Sequence, residues 1–287
     1  MLKTKLLVGA LAFGVSVAAN ATFTVPGNSE FAFSAWDSNA GVGYTYDLED
    51  GGFNTLLGSD VRMGSFIGAL THTTTSMNST LGTGVTGVLF DFALPSFGAF
   101  LSRVAVADVQ WNLVSIDNTG LNRVIQTVSA APGATSPYTN AAVRSAVSAT
   151  NIYFGAVNSA ENGTMASADD GYAITTLADG TRYAGNAPTF GSNFGNTGVA
   201  NAGGLDQALD LYVFGQVSQS TTTANNARAS FFGALADVTG NGAVSRVYVG
   251  DAGEYRLQIA VVPEPETYAM LLAGLGLIGF AARRRRL

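Results

Sequence analysis

Few residues in this chain are of types that do chemistry, and their spacing limits what they can do. The one histidine, His72, lies among threonines in the run Leu70-Thr71-His72-Thr73-Thr74-Thr75-Ser76. A Ser/His/Asp relay would have to use it, with serine and acid brought from elsewhere, and no G-x-S-x-G follows a strand-to-helix pattern. A histidine in such a run reads as a surface strand residue, and a histidine-based zinc site would lack its second imidazole. The chain has no cysteine, which removes thiol catalysis, thiolate metal sites and disulfides. Carboxylates do cluster, as Asp47, Glu49 and Asp50, as Asp169 and Asp170, and as Asp206 and Asp210, with Glu161 apart. Glycoside hydrolysis needs two of them facing across roughly 5 to 9.5 Å. Several sit in turn-like contexts with glycine, as in Asp50-Gly51-Gly52 and Asp169-Asp170-Gly171, so turn formation explains them better. Asp237, Thr239 and Asn241, followed by Gly242, copy the first half of a calcium loop. The third position is Thr, however, and the twelfth is Tyr248 where a bidentate Glu is required. A hairpin between strands at 229–236 and 244–249 explains that run, so these three residues are only a weak calcium candidate. The expectation is a body with no catalytic centre, metal or cofactor.

The elements that would position these groups read as strands. Phe31, Phe33 and Ala35 alternate on one face, and Tyr44-Thr45-Tyr46 returns as a hairpin partner across the turn formers at 37–41. Similar alternation runs over 103–111, 209–217, 229–235 and 255–261, with weaker candidates at 54–57, 85–92 and 124–128. One segment has helical spacing instead: Val143, Val147, Phe154 and Val157 predict a helix over about 141–158, capped by Asn140 and ended by Asn162-Gly163. The stretch 184–204, rich in Gly and Asn, predicts a long surface loop. The predicted fold is mainly β, an antiparallel β-sandwich or jelly-roll-like body with one packed helix. Trp36, Tyr44, Tyr46 and Trp111 would offer a sugar-stacking surface if exposed, although core packing is the default for each.

The two ends carry the most specific patterns. At the start, Lys3 and Lys5 precede an apolar run over 6–17, and Ala19-Asn20-Ala21 forms an A-x-A site. Residues 1–21 therefore read as a secretory signal helix cleaved between Ala21 and Thr22. At the other end stand Val262, Pro263, Glu264 and Pro265, then an uncharged apolar run over 268–282, then Arg283, Arg284, Arg285 and Arg286. Fifteen apolar residues span roughly 22 Å as a helix, short of a hydrocarbon core of about 30 Å. Snorkelling arginines and local thinning cover the difference, so the run reads as a transmembrane helix with the four guanidiniums as its stop. Cations at both ends hold both ends in the cytoplasm, which places everything between outside the inner membrane. Between the targeting segments, residues 22–262 hold eight arginines and eighteen carboxylates, a net charge of −10, and no lysine. That balance argues against nucleic acid as a partner, because phosphate binding needs a basic face.

The order of motif, Gly-containing apolar run with Gly274-Leu275-Gly276, and terminal arginines resembles the PEP-CTERM sorting signal of Gram-negative bacteria. The resemblance implies recognition and removal of the tail by an exosortase, a membrane-embedded transpeptidase-like enzyme. It divides the chain into a signal peptide (1–21), a β-rich exported domain (22–261) and a sorting signal (262–287). The expected role is a non-catalytic envelope or extracellular-matrix protein, in transient contact with the inner membrane and associated with exopolysaccharide or biofilm. The alternatives are a carbohydrate-binding or adhesive module and, behind it, a secreted hydrolase.

Overall fold

The protein is described from a computed structural model covering residues 23, 31–48, 87–118, 120–129, 139–165, 171–186, 200–216, 218–219, 228–231 and 242–262. The described residues form eleven strands: β1 Phe31–Asp37, β2 Val42–Leu48, β3 Gly87–Ala93, β4 Gln110–Asp117, β5 Arg123–Val128, β6 Tyr172–Thr176, β7 Gly203–Gly204, β8 Leu209–Gly215, β9 Arg228–Phe231, β10 Gly242–Val249 and β11 Tyr255–Val262. Two α-helices join them, α1 Phe97–Leu101 and α2 Asn140–Val157. Every pairing is antiparallel, and the order is β3-β11-β10-β8-β5-β4-β1-β2-β6, with β7 added on β4 and β9 on β8.

This is one sheet curled into a half-barrel, not the two stacked sheets of a sandwich. The ring of Phe97 shows the curl. Its centroid lies 5.1 Å from Tyr44 on β2 and 5.4 Å from Tyr255 on β11. Those strands are six steps apart in the sheet order, which in a flat sheet would be roughly 29 Å. Only a closed-up sheet brings both to one side chain. Phe31, Phe33, Ala35, Trp111, Leu113, Ile125, Leu211, Leu257 and Ile259 fill the concave side around α1. The convex side is covered by α2, where Val143, Val147, Phe154 and Val157 meet Ala32, Val114, Ile116 and Val124. Burial on both faces explains why β1 is buried at all seven positions: Phe31, Phe33 and Ala35 enter the concave core, and Ala32 and Trp36 the convex one.

The predicted β1–β2 hairpin forms in register, from Phe31↔Leu48 to Asp37↔Val42. The Asp37 carboxylate accepts from the backbone N–H of Asn39 (2.8 Å) and of Ala40 (3.1 Å), and Gly41 takes the left-handed φ of 64° that closes the turn. The α2 helix also forms, one residue earlier at each end than predicted. Its cap is Thr139, whose Oγ1 accepts from Ala142 N–H at 3.1 Å, whereas Asn140 is already helical. Asn162 and Gly163 do not end the helix; they bridge to β6 instead.

Three expectations are corrected. The run 103–111 is not a strand: after α1 it passes through a single 3₁₀ turn, Val106–Asp108, with Val106 exposed, and pairing begins only at Gln110. Its alternation had no partner strand to bury it. The 229–236/244–249 hairpin is also absent among the described residues. Strand β9 pairs with the second half of β8, β10 pairs with the first half, and β10 forms its hairpin with β11. Finally, Trp36, Tyr44, Tyr46 and Trp111 are all buried, at 3, 0, 7 and 0 % exposure, so they pack the core and form no sugar platform.

Candidate functional site

The last described strand is the element that delivers the C-terminal motif. In β11 the side chains alternate: Leu257 and Ile259 enter the concave core, while Arg256 and Gln258 face outward. The strand is internal, with β10 on one edge and β3 on the other. Its ladder with β10 holds to the end, at Ala243↔Val261 and Gly242↔Val262, and β3 still pairs at Gly87↔Val261. Pro263 follows directly. It has no N–H to continue a ladder, and it favours an extended residue before it, which the strand residue Val262 already is. The motif therefore begins in the last described strand, with no linker before it.

A polar brace locks the outer face of this strand. Arg256 Nε donates to Asp91 Oδ1 on β3 at 2.8 Å, and its Nη1 reaches Glu254 Oε1 at 3.1 Å. Tyr248 on β10 donates from its hydroxyl to the other Asp91 oxygen at 2.6 Å. Arg246 Nε donates to Gln258 at 3.0 Å, and its guanidinium lies 5.2 Å from the Tyr248 ring centre. Partial burial pushes the Asp91 carboxyl up, but the hydrogen bonds from Tyr248 and Arg256 outweigh it and hold it below its ordinary range. The Arg256 guanidinium is correspondingly held more firmly protonated, chiefly by Asp91. One carboxylate thus ties β3, β10 and β11 together at the strand that carries the tail. Sequence reading missed this brace, because Asp91 and Arg256 are separated by 165 positions and no local period connects them.

The other residues singled out by sequence are scattered. Asp47 is buried in β2, Asp206 and Glu161 are exposed, and Asp210 lies in β8, where burial raises its carboxyl pKa. Among the described residues, no three His, Asp or Glu gather as a metal site. Outside the described residues lie His72, Glu49, Asp50, Asp169, Asp170, the calcium candidates Asp237, Thr239 and Asn241, the cleavage residues Ala19, Ala21 and Thr22, strand 54–57, and everything from Pro263 to Arg286. The same holds for the apolar run 268–282; among the described residues no helix is long and apolar enough to cross a membrane.

Comparison with known proteins matches the C-terminal segment. The model of the PEP-CTERM protein-sorting motif aligns with residues 261–286, so its first two positions are the last two of β11. No curated protein and no solved structure matches the chain. The chain therefore carries a PEP-CTERM protein-sorting motif at its C-terminus, which implies export, processing by an exosortase and sorting to the cell surface.

Proposed function

We propose that this protein is a non-catalytic component of the envelope or extracellular matrix, a β body carried outward by its tail and associated there with exopolysaccharide. The observation that carries the reading is the join between fold and motif. A tail attached to an internal, doubly paired strand transmits force along the sheet rather than peeling off an edge. Such a body stays folded while its tail is held in a membrane or transferred by an enzyme. The acidic, lysine-free composition of 22–262 suits a soluble domain outside the cell.

The test compares cells with and without their exosortase, and cells with and without this gene. With the enzyme, the chain is expected in the surface or matrix fraction, shortened at its C-terminus. Without it, the full-length form should remain in the inner membrane. Deleting the gene should change the saccharide content of the matrix. Identical matrix composition with and without the gene, or turnover of a polysaccharide by the purified chain, would overturn the non-catalytic matrix reading.

A further inference from the structure

A groove of about 310 Å³ opens between α2 and the turn that joins β4 to β5, with Gln219 at its edge. Its helical wall is one stripe of α2: Arg144, Val147, Ser148 and Asn151, spaced i, i+3, i+4 and i+7. Its other wall is Asn118, Gly120 and Asn122.

The backbone of that turn is fixed from below. Asn122 N–H donates to Gln216 Oε1 at 2.9 Å, and Gln216 N–H donates to Asn122 C=O at 3.0 Å. Gln216 Nε2 continues to Asn140 C=O at 2.9 Å, which ties the turn to the start of α2. Gln219 Nε2 donates to the carbonyl of Gly120, which has the positive φ of 146° that favours glycine. Beneath lies the buried Asp117–Arg123 ion pair, with Arg123 Nε to Asp117 Oδ2 at 2.8 Å. A buried pair is weak evidence for stability, but Asp117 and Arg123 are cross-strand partners, so the pair closes the base of the turn.

The hydrogen bonds of this frame are thus spent on position, while the side chains facing the groove are unspent. Among the described residues, Asn118, Asn122, Arg144, Ser148 and Asn151 make no side-chain hydrogen bond. The Asn151 Oδ1 is shut off from solvent as well, an acceptor without a donor. Among the described residues, no carboxylate lines the groove and Arg144 is the one charged side chain in its wall.

We propose that this groove binds one acidic sugar unit, its carboxylate on Arg144 and its hydroxyls on the surrounding amides and Ser148. A planar guanidinium matches a carboxylate bidentately, and amides that both donate and accept match adjacent hydroxyls. This inference rests on the matrix reading for the source of the sugar, and it replaces the aromatic platform with a polar one.

The test uses the full chain in detergent micelles, with sodium glucuronate as probe and glucose as control, both read by saturation-transfer NMR titration, and with sodium sulfate read by its competition against the glucuronate signal. Glucuronate should bind saturably at about millimolar Kd, with glucose and sulfate at least about tenfold weaker. R144Q should weaken glucuronate about tenfold or more, down to the glucose level. S148Y should fill the groove and abolish both sugars. Both positions are exposed on α2, so circular dichroism of both variants should match the unmodified chain. Equal binding of sulfate and glucuronate, equal binding of glucose and glucuronate, or an unchanged affinity in R144Q would each overturn the proposal. Surface delivery is read separately on the same variants. Failed glucuronate binding with intact delivery overturns the groove alone, and failed delivery of the unmodified chain overturns the exported matrix reading alone.

Discussion

Replacing Phe97 by alanine tests the curl of the sheet directly. The ring is fully buried and sits 5.6 Å from Phe33, 5.1 Å from Tyr44, 5.4 Å from Phe100 and 5.4 Å from Tyr255. It joins β1 and β2 at one end of the sheet order to β11 at the other. Truncating a buried Phe costs about 3–5 kcal/mol from lost transfer energy and the cavity left behind. Each edge-to-face pair adds about 0.5–1.5 kcal/mol, and these contributions overlap rather than sum. We expect a loss of about 4 kcal/mol in urea unfolding of the full chain in detergent. At about 2–4 °C per kcal/mol for a domain this size, that lowers the melting temperature by roughly 8–16 °C. The sharper measurement is a double-mutant cycle of F97A with Y255L. Direct contact predicts coupling of about 0.5–1.5 kcal/mol between α1 and β11. A loss below about 1 kcal/mol in F97A, or additive effects in the cycle, would mean that the concave face is open and the half-barrel is wrong.

Other outcomes follow from the tail and its brace. Neutralising Arg283, Arg284, Arg285 and Arg286 should impair membrane retention and processing, whereas changing Pro263, Glu264 and Pro265 to alanine should leave insertion intact and trap the full-length tail; immunoblots of membrane fractions against a C-terminal tag distinguish the two, and a tail equally persistent in the unmodified protein, in cells with an exosortase, would make it only an anchor. N-terminal sequencing of the exported form should start at Thr22, and a product beginning at Met1 would reject the cleavage site. Asp91 has a lowered carboxyl pKa in the folded chain, so its contribution is present above the ordinary value of 3.8 and fades as pH falls through the folded value. D91N should therefore be less stable than the unmodified chain at pH 7 by up to about 1 kcal/mol, as for a surface brace, with the gap closing as the pH falls below 3.8 through the lowered folded value; a gap that ignores pH would refute the charged brace.

Local pattern decided several features without any tertiary information. The order of Val262-Pro263-Glu264-Pro265, apolar run and four arginines is a linear code, read by polarity along the chain, and it needs no fold to be legible. The β1–β2 hairpin and α2 were legible for a similar reason. Their periods of 2 and 3.6 and their turn and cap residues act within a few positions. Partner choice was not legible. Period-2 alternation marks a strand but not the edge it joins, so the same pattern at 103–111 formed no strand before Gln110, and β9 joined β8 rather than β10. Nor could alternation tell one curled sheet from two stacked sheets, since both bury one face of each strand. The curl decided the fate of Trp36 and Trp111, because coverage of both faces buries them on opposite sides of the sheet. It also assembled the Asp91–Arg256 brace, and it set the β4–β5 turn against α2 and Gln219 to make the groove. Those constellations exist only after distant segments pair, and long-range pairing leaves no signature within any window of the sequence.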